Sequence, residues 1–312
     1  MPRAVVFAYH NVGVRCLRVL LAHGVDVPLV VTHADSPDET VWFGSVAATA
    51  GECGIPAIAP EDPNVADILA RINALAPDFL FSFYYRKMLK TPLLAAARQG
   101  ALNMHGSLLP RYRGRAPVNW AVLHGERETG ATLHYMTAKP DQGDIVAQTA
   151  VPILPDDTAR EVFDKVTVAA EMTLDRVLPA VLAGTAPRVA QDPAAGSYFG
   201  GRRPEDGVID WYRDAATVHN LVRAVAPPYP GAFTAIGGVA ARVLRTRIVT
   251  TATPPTLTPT LEARGGRLLA HCGGGGTLAV LALESGGNAV DPVTFGARFG
   301  SAPVPLGDTA RS

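Results

Sequence analysis

The sequence predicts an α/β fold, with a mostly parallel sheet in its first part and a small β-barrel at its C-terminal end. Three observations carry this. Short continuous apolar runs alternate with helix-like stretches through the first hundred residues, a long helical stretch follows, and after residue 206 several strand-like runs are punctuated by Gly and Pro. Strands that are apolar on both faces belong in a parallel sheet covered by helices on either side.

Taken in order, "AVVFA" (4–8) reads as the first strand and "VRCLRVLLAHG" (14–24) as a helix. "VPLVVT" (27–32), an amphipathic stretch near 44–53, "IPAIA" (55–59), the helix-like "VADILARINALA" (65–76) and "DFLFSF" (78–83) continue the alternation. In such sheets ligands bind beyond the carboxyl ends of the strands. The residues to watch are therefore Tyr9 to Asn11, the loop His33 to Gly44, Tyr84 to Arg86, and Asn103 to His105. "GATLHYM" (130–136) and "IVAQTAVPI" (145–153) form a hairpin-like pair around "TAKPDQGD". Residues 156–184 read as one long helix, opened by Asp156 and Asp157 and closed by Gly184. We place the domains at 1–188 and 207–305, joined by a surface linker at 189–206 that is rich in Pro, Gly and charge and has little periodicity. The second domain begins with a short helix (216–225), followed by strands at 232–236, 239–249, 266–271 and 277–284. The four glycines 273–276 lie between two strand-like runs, with no following helix or Lys-Ser/Thr, so they read as a hairpin turn and not a phosphate loop.

The composition excludes several classes. With 28 basic and 28 acidic residues the formal net charge is zero, which gives no global reason to bind nucleic acid or an anionic membrane. The three cysteines, Cys16, Cys53 and Cys272, are odd in number, lack metal spacing and suit reduced thiols in a reducing compartment. No stretch approaches the ~20 apolar residues of a membrane span, and the N-terminal run is too short for a signal sequence. A cytoplasmic location is expected.

The chemistry-bearing stretch is "ALNMHGSLLPRYRGRAPVNW" (101–120). Residues two apart in an extended segment share a face, so Asn103 and His105 look into one crevice. Such a pair is also compatible with plain hydrogen bonds to neighbouring loops. The loop that follows carries Arg111, Arg113 and Arg115 between glycines and prolines, and suits an anionic or carbonyl-bearing ligand. Further on, "KPDQGDI" has ordinary turn chemistry and sets Asp141 at its tip. If the turn aims Asp141 at His105, the carboxylate orients the imidazole and raises its pKa, giving a general base for neutral pH. An Asn amide beside them can stabilise negative charge developing on a carbonyl oxygen. Asn, His and Asp together suit acyl transfer to a nucleophile brought by the substrate. A metal site at His105, Asp141 and Asp144 lacks any recognised ligand spacing, so no metal is expected.

The segments "LNMHGSLLPRYRGRAPVNWAVLHGERETGATLHYM" and "KPDQGDIVAQ" resemble the 10-formyltetrahydrofolate-dependent formyltransferases, whose N-x-H-x-S-L-L-P-x-Y-R-G and D-x-G-x-I motifs occur here in order. "VVFAYH", "FSFYYR", "GRRPEDGVIDW" and "HNLVRAVAPPYPGAF" extend the likeness along the chain, toward the members that formylate UDP-4-amino-4-deoxy-L-arabinose in lipid A modification and polymyxin resistance. The resemblance implies a Rossmann-like catalytic domain and an OB-like barrel. It implies His105 as the proton acceptor and donor, with Asn103 and Asp141 stabilising the tetrahedral intermediate. It implies a site for 10-formyltetrahydrofolate, the co-substrate, lined by Lys87, Met88, Leu89, Arg115, Thr137, Ala138, Lys139, Pro140 and Asp141. The match is loosest at 87–89.

Partners are then expected to be small molecules, a folate and a sugar nucleotide, without nucleic acid or membrane insertion. The bifunctional relatives carry an additional NAD-dependent decarboxylase domain absent from this sequence, so a functional link to a separate UDP-glucuronate decarboxylase is expected. A dTDP-4-amino sugar is the competing acceptor. Methionyl-tRNA is disfavoured because the chain from residue 205 holds nine Arg, no Lys and eight acidic residues, a weak electrostatic footprint for RNA. A non-catalytic binding protein would have no need of Asn103, His105 and Asp141 together.

Overall fold

A computed structural model describes residues 1–36 and 40–307, so the middle of the expected His33 to Gly44 ligand loop, residues 37–39, lies outside the described residues. The elements run β1 (Arg3–Ala8), α1 (His10–Ala22), β2 (Asp26–Val31), α2 (Val46–Glu52), β3 (Ala57–Ile58), α3 (Ala66–Leu75), β4 (Phe79–Phe83), α4 (Thr91–Leu94) and β5 (Gly100–His105). They continue with β6 (Arg113–Gly114), α5 (Pro117–Leu123), β7 (Glu128–Tyr135), β8 (Ile145–Pro152), α6 (Ala159–Leu182) and β9 (Tyr198–Phe199). The backbone divides into two compact units: Met1–Pro117 with Glu128–Pro152 and Phe163–Gly200, and Val118–Arg127 with Ile153–Val162 and the chain from Gly201.

In the first unit one sheet has the order β3-β2-β1-β4-β5-β7-β8. The five strands from β3 to β5 are parallel, and β7 and β8 add an antiparallel edge. All five residues of β4, and Ala4 to Ala8 of β1, are buried, as strands covered on both faces require. Val5, Phe7, Leu29, Leu80 and Leu93 belong to one apolar cluster under the sheet. On the other side Arg15 pairs with Glu171 at 2.6 Å and His23 with Asp175 at 2.8 Å, joining α1 to α6. The segment after α6 lies along the sheet unit: Val189 bridges Ile145, and β9 pairs in parallel with β6.

The second unit contains α7 (Ala215–Ala224), β10 (Ala232–Ile236), β11 (Val239–Thr250), β12 (Thr260–Arg264), β13 (Arg267–His271), β14 (Thr277–Ser285), β15 (Asn288–Ala289), α8 (Pro292–Phe299) and β16 (Val304–Pro305). Its antiparallel sheet runs β10-β11-β14-β13-β12-β16, and a bridge between Ile236 and Leu306 joins the two ends, closing the curl into a barrel without free edges there. Trp211 and Phe295 fill its core. Asp214 caps α7 by accepting from the Thr217 N–H at 2.9 Å, and Asp291 caps α8 in the same way from Thr294 at 2.7 Å. Such caps contribute about 1 kcal/mol each. The four glycines do turn from β13 to β14. A Cβ at Gly274 would stand 2.6 Å from the main chain of Arg213 and Asp214, which explains the run without any phosphate.

Candidate active site

Asn103 and His105 sit on β5, where the register sets Asn103 opposite His134 and His105 opposite Thr132 on β7. Opposed residues share a face, so His134 enters the crevice beside the predicted pair. Its Nδ1 donates to the Tyr135 carbonyl at 2.8 Å, which leaves Nε2 of the neutral ring as an acceptor. The Asn103 amide nitrogen, 3.1 Å from that Nε2, donates to it with one hydrogen and keeps the other. His134 thereby dictates which end of the Asn103 amide is the nitrogen.

His105 is buried, and its Nε2 donates to the Tyr112 carbonyl at 2.8 Å. The neutral ring then carries its lone pair on Nδ1, which stands 3.7 Å from Asp141 Oδ1. That separation is too long for a hydrogen bond, so the Tyr112 carbonyl orients the imidazole while Asp141 acts on it as a nearby charge. The same carboxylate oxygen is 3.5 Å from His134 Nε2. Burial by itself pushes the Asp141 carboxyl up; the charge that the His105 and His134 rings carry when protonated, the hydrogen bond that a protonated His134 donates, and the Gly114 N–H, which donates to Oδ2 at 2.9 Å in either state, outweigh it and hold the group well below the usual carboxylate range.

Asp141 has φ 54°, left-handed backbone that costs energy outside glycine. His10, Tyr84 and Tyr112 share this trait, the first two just past the ends of β1 and β4 and the third in the loop beyond His105. Strain of this kind collects at functional sites. A donor amide, an imidazole lone pair and an ionised carboxylate thus converge where β5 ends. They can bind a carbonyl oxygen, take a proton from an attacking amine and stabilise the resulting imidazolium.

Lys87 Nζ donates to the carbonyls of Pro60 and Glu61. Met88 is exposed, whereas Leu89 is packed in the apolar core and presents only main chain. Arg115 has an exposed side chain, with its N–H on the Phe199 carbonyl at 2.9 Å. Thr137 donates to the Lys139 carbonyl at 2.9 Å and helps shape the turn that carries Pro140 and Asp141. Tyr112 stacks on Phe199, so the arginine loop is braced by the segment read as a linker.

Beyond β1, β2 and β3 lies a crevice of about 270 Å³ lined by Tyr9, Thr32, His33, Asp35 and Ser45 among others. Tyr9 donates to Asp35 at 2.8 Å, His33 stacks on Tyr85 at 4.2 Å, and the Arg86 guanidinium covers the Tyr9 ring at 4.7 Å. Among the described residues no group of three His, Cys, Asp or Glu could hold a metal ion, and no helix is long and apolar enough to cross a membrane.

His134, the Tyr112 carbonyl and the segment around Ser197, a residue whose hydroxyl accepts from the Tyr112 N–H at 2.8 Å, were not found from the sequence. Only the first left a signal there: a polar residue inside an apolar strand run, whose strand partner was unknown.

Comparison with known proteins adds to this geometry. Residues 21–178 match the family described as Formyl transferase, and residues 202–300 match Formyl transferase, C-terminal domain. Among solved structures the chain is similar to an N-formyltransferase from Helicobacter canadensis in complex with folinic acid and dTDP-3-aminofucose, at 20% identity and TM-score 0.68, covering 90% of this chain and 99% of that one. It is similar to WlaRD, a sugar 3N-formyl transferase studied with dTDP and 5-N-formyl-THF, at 18% identity and TM-score 0.69 over 89% and 97% of the two chains. Glycinamide ribonucleotide transformylase 1 from Symbiobacterium toebii is also similar, at 23% identity and TM-score 0.52, over 61% of this chain and 93% of that one.

Proposed function

The chain belongs to the formyltransferase family, and from that premise we propose that it moves the formyl group of 10-formyltetrahydrofolate to the 4-amino group of a nucleotide-linked amino sugar, UDP-4-amino-4-deoxy-L-arabinose in the first instance. One observation carries the reading: Asp141 Oδ1 lies 3.7 Å from His105 Nδ1 and 3.5 Å from Nε2 of His134, the ring that accepts from the Asn103 amide.

The amine nitrogen bonds to the formyl carbon while the bond from that carbon to N10 of the folate breaks. Asn103 donates its remaining N–H to the formyl oxygen as charge develops there. His105 takes the proton from the attacking nitrogen at Nδ1, with Asp141 stabilising the charged ring, and returns it to N10. Much of the acceleration comes from holding two substrates together. The turn Thr137 to Asp141, the chain at Lys87 to Leu89 and Arg115 hold the folate. The crevice beside Tyr9 and His33 lies about three strand spacings from β5, roughly 14 Å, a suitable reach for the nucleotide end of the acceptor.

A dTDP-linked amino sugar is the second reading, favoured by the ligand of the Helicobacter canadensis relative. The decisive experiment offers the protein 10-formyltetrahydrofolate with a panel of UDP-, dTDP- and GDP-4-amino sugars. Formylation led by the UDP-linked pentose supports the first reading, dTDP preference the second, and no formylation of any amino sugar removes both. If the first holds, the UDP-4-amino sugar requires an oxidative decarboxylation upstream, the reaction of a UDP-glucuronate decarboxylase.

A further inference from the structure

We propose that Gln191 is a positioning residue for formyl transfer, a clamp that holds the Asp141 carboxylate at its working distance from His105. The proposal rests on the catalytic reading of Asn103, His105 and Asp141 given above.

Gln191 Nε2 donates to two main-chain carbonyls of the turn, those of Asp141 at 3.0 Å and Gly143 at 2.7 Å. Both hydrogens of the amide are therefore used on the two carbonyls that flank Gln142, the first of them belonging to the residue that carries the carboxylate. The other end of the amide, Oε1, is buried and has no partner among the described residues, so the two donors alone set the orientation of the side chain. Two residues earlier the backbone is fixed, because Val189 and Ile145 exchange N–H to carbonyl bonds of 2.9 and 2.8 Å. The clamp thus stands on the sheet and reaches the turn.

Asp141 needs such support. Its φ of 54° is disfavoured for a residue with a Cβ and persists only when surrounding contacts over-determine it. Those contacts are the Gly114 N–H on its carboxylate and the Gln191 amide on its carbonyl. Without the second, the residue relaxes toward ordinary backbone angles and the carboxylate swings relative to His105, 3.7 Å away. The sequence reading put residue 191 in a linker, where a glutamine carried no signal.

The test is a mutant cycle in the full chain. Gln191→Met keeps length and volume and removes both donors. We expect kcat to fall about 10–100-fold, the range for a misplacement near 1 Å at a catalytic group, with KM for folate and for acceptor within about twofold of wild type and kcat compared well below either melting temperature. Gln191→Asn, one methylene short of its acceptors, is expected to lose activity too. In an Asp141→Asn background the same Gln191→Met change should alter kcat by less than about twofold, since a residue acting through Asp141 has nothing left to position. Wild-type kcat in a folded Q191M or Q191N protein overturns the proposal, as does an equal fold-loss in both backgrounds. If D141N alone retains wild-type kcat, the catalytic reading itself fails and the clamp with it.

Discussion

The Asn103 amide nitrogen donates across the strand pair to Nε2 of His134, 3.1 Å away, while the far side of that imidazole is tied to the Tyr135 carbonyl. The donor face of Asn103 is thus set by a histidine that need not touch either substrate. Replacing His134 with phenylalanine keeps the bulk and removes the acceptor, so the amide becomes free to turn its oxygen toward the formyl group. Loss of one such donor typically costs about 10²–10³ in kcat. Because an amide that can still turn back keeps part of its function, we expect about a 10–100-fold fall, with KM for both substrates little changed. Steady-state kinetics on H134F check this, and an unchanged kcat would mean that Asn103 holds its orientation unaided.

His105 is oriented through Nε2 by the Tyr112 carbonyl, so the group that manages the proton is Nδ1. Removing the ring in His105→Ala should lower kcat by about 10²–10⁴, the usual worth of general acid–base catalysis. The turnover to measure is formyl transfer with saturating folate and acceptor. Full activity in the variant would transfer the proton-handling role to another group.

The depressed Asp141 carboxyl makes a prediction about stability. Its folded pKa lies below the value of about 3.9 expected in the unfolded chain. A group of this kind contributes stability that is fully present above the unfolded pKa and lost as pH falls through the folded one. The difference in urea midpoint between wild type and Asp141→Asn should therefore stay constant from pH 7 to about 5 and change only below about pH 4. A difference that already drifts near pH 6 would assign the titration to a neighbouring group.

The sequence made the strand ends legible because buried parallel strands are continuous apolar runs, and polar residues that interrupt them stand out. Asn103 and His105 were visible for that reason. His134 was not, since its role depends on register: it faces Asn103 only because β7 pairs antiparallel with β5, and no local pattern in "GATLHYM" states the partner. Strand β12 and helix α8 escaped notice because five residues with two charges, Thr260 to Arg264, and an eight-residue helix containing glycine are held by the barrel around them more than by their own periodicity. β3, read over 55–59, is confined to Ala57–Ile58 at the sheet edge, where a single neighbouring strand defines it. The helix read over 156–184 spans Ala159–Leu182, with Glu161 accepting from the N–H and hydroxyl of Thr158 at its start.

Gly143 offers a last test, one that separates crowding from chain flexibility. A Cβ built on it would lie 1.9 Å from the Tyr135 carbonyl oxygen and 2.7 Å from its carbon, main-chain atoms of β7 that cannot move aside as a flexible side chain would. The Gly143→Ala turn must shift bodily, carrying Asp141 with it and disturbing the Gln191 bond to the Gly143 carbonyl. We expect a stability loss of about 1–3 kcal/mol, the ordinary cost of overpacking, with a fall in kcat that persists at temperatures where the variant is fully folded. Gly51 is the matched control. It lies inside α2 with open space around it, so Gly51→Ala should be neutral or stabilising by up to about 1 kcal/mol and leave kcat unchanged. Melting curves and kcat measured together decide the matter: G143A proteins as active as wild type would show that the turn tolerates displacement, and that the Asp141 distance to His105 does not limit the reaction.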